Sequence, residues 1–133
     1  GTRAGGAVAA AWAVMHHLGE AGYMDIARQM ADMTDAYVAG IKAIDGLHLW
    51  AEPDLTIINF GAQDGNNELD IFTVAEGMDR RGWLPGLTQN PKGLHAMLSM
   101  FHAGGRAEYL ADLAASVDEA KGMGGGSDLK AVY

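Results

Sequence analysis

Apolar residues recur every three or four positions along one stretch: Tyr23, Ile26, Met30, Met33, Tyr37, Ile41 and Ile44. Only a helix brings such residues onto one stripe, because a turn takes about 3.6 residues. Arg28, Asp32, Asp35 and Lys42 fall largely on the other faces. The spacing predicts a long amphipathic helix over 23–44, which must bury its stripe against another element. Asp45-Gly46 closes it, with glycine suited to the left-handed position after a helix.

The rest of the chain reads around that helix. Residues 7–18 are rich in Ala and apolar on nearly every face, which predicts a helix buried on most sides, with Trp12 as a buried anchor. Gly19 and Gly22 break it. Residues 47–50 form a short strand, Glu52-Pro53-Asp54 a turn, and the β-branched run 55–60 a second strand. Residues 61–67 are a polar loop. A helix over 69–81 turns Ile71, Val74, Ala75 and Met78 inward and ends at Gly82. Trp83-Leu84 starts a third strand that Pro85-Gly86 stops, and 94–101 reads as a fourth, although helix is compatible with its propensities. A last helix, 106–121, turns Leu110, Leu113, Ala114 and Val117 inward. Residues 122–133, with Gly-Met-Gly-Gly-Gly-Ser, read as a flexible tail. Strands joined by tight turns pair antiparallel. The expected architecture is α+β: one domain over 1–121, a short and mainly antiparallel sheet with helices on one face and a long N-terminal helix.

The charge excludes several functions. The 133 residues carry a formal net charge of −8, and the only basic doublet is Arg80-Arg81. Binding to nucleic acid or to an anionic membrane surface needs a basic patch, so neither is expected. No apolar run approaches the ~20 residues that span a bilayer. There is no cysteine, hence no disulfide, thiolate metal site or thiol nucleophile.

Few residues are placed to do chemistry. Gly1-Thr2-Arg3-Ala4-Gly5-Gly6 precedes a helix. Glycine amides, a hydroxyl and the positive helix end suit an anion such as phosphate, but Thr2 as a helix cap with glycines making a turn explains the same residues. His16-His17 point about 100° apart on a helix and converge poorly on a metal. His95 reads as a satisfied core or interface residue on the fourth strand, sharing a face with Ser99 but with no carboxylate to complete a triad. The acidic loop Asp64–Asp70 lacks the calcium-binding ligand pattern, and Asn67 or Glu68 serves better as a helix cap. Trp50 reads as a second buried anchor, and Trp83 is placed near a site or an interface. None of Lys42, Lys92, Lys121 and Lys130 sits where desolvation would make it a nucleophile. No catalytic residue and no metal site is therefore assigned within the chain.

The ordered set of short motifs resembles a known family. Gly1-Thr2-Arg3-Ala4-Gly5-Gly6, Ala11-Trp12-Ala13 and Leu18-Gly19-Glu20-Ala21-Gly22-Tyr23 resemble the C-terminal domain of the group II decarboxylases, pyridoxal-phosphate-dependent enzymes of fold type I. Ile44-Asp45-Gly46-Leu47, Glu52-Pro53-Asp54 with Ile57-Ile58-Asn59-Phe60, Asp70-Ile71-Phe72, Met78–Trp83 and Pro91–His95 continue the series in order. The sphingosine-1-phosphate lyase branch is the nearest in pattern.

The resemblance implies several expectations. The parent protein is a homodimeric, cytoplasmic carbon–carbon lyase or decarboxylase using pyridoxal 5'-phosphate. A large domain upstream of Gly1 supplies the cofactor-binding lysine, so this piece alone is inactive. Its substrate is a small amine or a phosphorylated amino alcohol. Gly1 and Thr2 reach across the dimer to the cofactor phosphate, with Thr2 replacing the family's Ser. Arg3 is assigned to substrate binding, or pairs with a carboxylate; Ala4 replaces the family's Pro and leaves that loop less rigid. The arginine by which glutamate decarboxylases hold their substrate's carboxylate is missing from the 94–101 segment. The alternative expectation is a stand-alone regulatory or small-ligand-binding α+β module.

Overall fold

The protein is described by a computed structural model that covers residues 2–63, 69–123 and 126–129. Its elements run α1 (Gly5–Lys42), β1 (Leu47–Leu49), β2 (Ile57–Ala62), α2 (Ile71–Arg80), β3 (Gly86–Gln89), β4 (Lys92–Met97) and α3 (Arg106–Met123), with one 3-10 turn at Met100–His102. The strands form one antiparallel sheet in the order β1-β2-β4-β3. The C-terminal half of α1 packs by β1 and α3, α2 lies on β4, and α3 lies on α2. This is the expected α+β architecture with a long N-terminal helix.

Two helical stretches meet within α1 at Gly19, where φ is 59° and ψ is −176°. A residue without a Cβ takes that left-handed φ at little cost, so the break falls where expected, while Gly22 stays helical. The predicted stripe divides in two. Met33, Tyr37 and Ile41 are buried, whereas Tyr23 is exposed. The expectation of a buried Ala-rich helix is overturned. Val8, Trp12, Val14 and Met15 all face solvent, Trp12 at 60% exposure, because no other described residue covers this stretch.

The core lies between the sheet and the helices. β2 contributes Ile58 and Phe60, β4 contributes Leu94, and α2 adds Ile71, Phe72, Val74 and Met78. Asp70 caps α2 by accepting from the Phe72 amide at 3.0 Å. That corrects the assignment of the cap to Asn67 or Glu68, which lie outside the described residues. At the other end, Gly82 takes φ 89°, and the amides of Gly82 and Trp83 bond back to Asp79 and Met78. This pair of bonds is a Schellman motif, and it fixes the direction of Trp83.

Three strand boundaries differ from expectation. Trp83-Leu84 is a connection, and the third strand begins after Pro85, which has no N–H for a ladder. The second strand sits at 57–62. The fourth ends at Met97, so Ser99 and His95 do not share a strand face; Ser99 instead caps the 3-10 turn, its amide bonding His102 Nδ1 at 2.9 Å.

α2 and α3 meet closely. A methyl group at Gly77 would lie 2.9 Å from the Ser116 Cβ and Oγ. Ser116 is buried and tied to the Asp112 carbonyl at 2.7 Å, so it cannot yield. Arg81 bonds Glu119 across the same seam and lies 3.7 Å from Asp112. Gly→Ala within an exposed helix gains up to about 1 kcal/mol, but overpacking a tight contact costs about 1–3 kcal/mol. Gly77→Ala should therefore lower the urea midpoint of this chain. A rise in that midpoint would show that the seam is loose.

Candidate functional site

The segment expected to hold the cofactor phosphate stands at the free end of α1. Gly1 lies outside the described residues. Thr2 and Arg3 are exposed and make no hydrogen bond or ion pair among the described residues. Ala4, with φ −63° and ψ 123°, occupies the N-cap, and no side chain caps the helix. Thr2 is therefore not the cap that local sequence allowed. The first turn contains no acidic residue, and a methyl group at Gly5 or Gly6 would meet nothing within 4 Å. Open amides at a positive helix end, a free hydroxyl and a free guanidinium are donors that fit the phosphate of pyridoxal 5'-phosphate.

The other candidates have structural employment. Lys42 pairs with Glu52 at 2.6 Å, Lys92 with Asp70 at 2.6 Å, and Lys121 with Asp45 at 2.8 Å. Lys130 lies outside the described residues. His16 bonds the Trp12 carbonyl at 2.9 Å and stacks on that indole at 4.1 Å. Among the described residues no three metal-ligating side chains come together. Burial opposes ionisation of Asp70, but the Lys92 ammonium and the Ser127 and Phe72 amides outweigh it and hold its carboxyl below the usual range.

The structure adds a cleft of about 410 Å³ beside the start of β3. Tyr37, Trp83 and Tyr109 form its aromatic wall, and His95 and His102 also line it. Trp83 stands edge-on to Tyr109 at 5.2 Å and donates to Asp112 at 2.8 Å. Tyr37 donates to the His102 carbonyl at 2.9 Å. The sequence sets Trp83 near a site or an interface, whereas Tyr37 shows only as one member of the helical stripe and no local pattern marks Tyr109. The signal for the cleft was the aromatic residue after Gly82, which the Schellman motif aims at α3.

Burial, reinforced by the neighbouring Tyr37 hydroxyl, pushes the Tyr109 hydroxyl up to about 12. A raised folded value means that the contribution to stability is complete below the ordinary tyrosine value of 10.0 and is lost as pH rises towards 12. Burial also holds the Tyr37 hydroxyl above the ordinary tyrosine value. Absorbance titration at alkaline pH should show a late tyrosine step, and Tyr109→Phe should lower its amplitude by one tyrosine. A Tyr109→Phe profile with the late amplitude unchanged would contradict the packing of the cleft.

No family model matches this chain. It is 36% identical over 121 residues to a sphingosine-1-phosphate lyase of Oryza sativa subsp. japonica, covering 91% of this chain and 22% of that enzyme. It is 32% identical over 119 residues to a probable L-aspartate decarboxylase of Thermococcus gammatolerans, covering 90% of this chain and 28% of that protein. The structure of a Burkholderia pseudomallei sphingosine-1-phosphate lyase superposes with a TM-score of 0.83 at 28% identity, over 92% of this chain and 27% of that one. The chain thus spans only about a quarter of the proteins it resembles, and the matches fall in their C-terminal portions. The chain belongs to the group II family of pyridoxal-phosphate-dependent decarboxylases and lyases that includes the sphingosine-1-phosphate lyases, and corresponds to the C-terminal domain of such a protein.

Proposed function

We propose that this domain serves a pyridoxal-phosphate-dependent carbon–carbon lyase or decarboxylase, similar to a sphingosine-1-phosphate lyase, whose cofactor-binding lysine lies on a separate large domain. The observation that carries this reading is the continuous match over nine-tenths of the chain, joined to the 0.83 superposition. A stand-alone module is not favoured, because the same residues align with one part of much longer enzymes. The described lysines agree with this division of labour, since each is held in a surface ion pair.

In this reading the domain covers the active site of a cytoplasmic homodimer, and Gly1 and Thr2 hold the cofactor phosphate of the partner subunit. The bound cofactor supplies an electron sink for cleavage next to an amine-bearing carbon. Thr2 donates its hydroxyl to a phosphate oxygen, and the open first turn of α1 adds amides and a positive pole. Arg3, free of any pairing among the described residues, is available to an anionic substrate group or to a neighbouring carboxylate. A phosphorylated amino alcohol offers such an anion. No described helix is long and apolar enough to cross a membrane.

The test uses the full-length protein. It should take up pyridoxal 5'-phosphate and show the cofactor's visible absorption, which borohydride abolishes. Thr2→Ala should weaken cofactor binding about tenfold, as expected for one charge-assisted hydrogen bond of ~1.4 kcal/mol. A dissociation constant unmoved by Thr2→Ala would remove Thr2 from the site. Absence of the visible band would overturn the functional reading.

A further inference from the structure

The two halves of α1 are held in very different ways. From Gly5 to His17 every residue is exposed, Val8 at 62% and Trp12 at 60%. The second half is fixed by Met33, Tyr37 and Ile41, which are buried in the core. The halves meet at Gly19. Among the described residues, the backbone angles of Gly19 therefore set the direction of the exposed half.

Those angles admit one residue type. A φ of 59° with a ψ of −176° lies away from the left-handed helical region, where ψ is about 47°. It falls where residues that have a Cβ essentially never go. Crowding is not the cause, since a Cβ built at Gly19 meets nothing within 4 Å. A side chain at this position must turn the backbone to other angles, and helical ones are nearest because both flanks are helical. Gly22 keeps a negative φ and stays helical, so a glycine alone does not bend this helix. From Gly5 to Leu18 the arm is ~20 Å long at 1.5 Å per residue, so a swing of about 10° at its base moves its tip by ~3 Å. N–H···O hydrogen bonds span only about 0.5 Å in length.

We infer that Gly19 is a positioning residue for the cofactor phosphate: its backbone aims α1 so that Thr2 and the first-turn amides meet that group. This rests on the proposed placing of the phosphate at the tip of α1. It adds that affinity for the phosphate is set ~20 Å from it, by a residue whose missing side chain would touch nothing. A side chain at position 19 leaves every donor of the tip intact and points the donors elsewhere.

The test compares two aldehydes on the full-length protein, pyridoxal 5'-phosphate and pyridoxal, with binding read from the visible band. Pyridoxal keeps the ring and the aldehyde but lacks the phosphate. A general loss of structure weakens both, whereas a misdirected arm weakens only the phosphate ester. Gly19→Ala should raise the dissociation constant of pyridoxal 5'-phosphate at least about tenfold, as for one lost hydrogen bond to a charged group, and leave that of pyridoxal within about twofold of the parent value. Gly19→Ser is barred from the same angles and is a weaker helix former than Ala. It should give the same split, and it serves if the first variant fails to fold. Equal weakening of both aldehydes would make Gly19 merely structural and overturn this role, as would an unchanged affinity for the phosphate ester. In either case the parent's visible band would leave the functional reading standing. A parent protein that shows no band with either aldehyde would sink that reading, and the role of Gly19 with it.

Discussion

A four-stranded sheet has two faces, and the helices of this domain cover one. Ile58, Phe60 and Leu94 commit that face to the core, under α2 and the C-terminal half of α1. Everything else in the fold is arranged to keep α2 in place over them. α3 is anchored to α2 through the Gly77–Ser116 approach and the bonds from Arg80 and Arg81 to Glu119. The Schellman turn at Gly82 then sends Trp83 back against Tyr109 of α3, which closes the aromatic cleft at the sheet's edge. The cleft is thus a product of the same constraint that builds the core.

Much of this was legible in the residues. Period-3.6 apolar spacing located α1, α2 and α3, and the glycine at position 19 located the kink. Strand edges were less legible, because runs such as 94–101 satisfy strand and helix patterns alike and a proline at 85 displaced the third strand. Spacing also states which residues are apolar without saying what covers them. Tyr23 and Trp12 lie in apolar patterns as regular as that of Ile41, yet Ile41 is fully buried and they are not. The cleft and the packing of Trp50 over Gly93 depend on contacts between residues far apart in sequence, and no local pattern announces them. Thr2 and Arg3 were singled out by ordered motifs alone, and the geometry adds only that neither has a partner among the described residues.

The exposed half of α1 gives the N-terminal segment its reach. Fourteen helical steps separate Gly5 from Gly19, about 20 Å at 1.5 Å per residue. Thr2 and Arg3 therefore sit far from the domain's own core. A helix apolar on every face is stable when buried, so Val8, Trp12 and Met15 call for packing that the described residues do not provide. A rigid arm with an apolar shaft and a polar tip suits a segment that crosses from one packed body to another. The hinge at Gly19 then sets the direction of the tip independently of the core.

Electrostatics gives the tip its preference. In the described residues, Lys42, Lys92, Lys121, Arg80 and Arg81 are all engaged with carboxylates. Arg3 is not, and neither are Arg28 and Arg106, although the chain carries a net charge of −8 and acidic groups are plentiful. Arg3 stands instead at a helix N-terminus, whose positive pole normally attracts Asp or Glu and disfavours a cation. Neither an acidic residue nor a capping side chain relieves that clash. An anion held between the guanidinium and the first-turn amides would be stabilised by both, and it would turn an unfavourable pairing of like charges into a binding site.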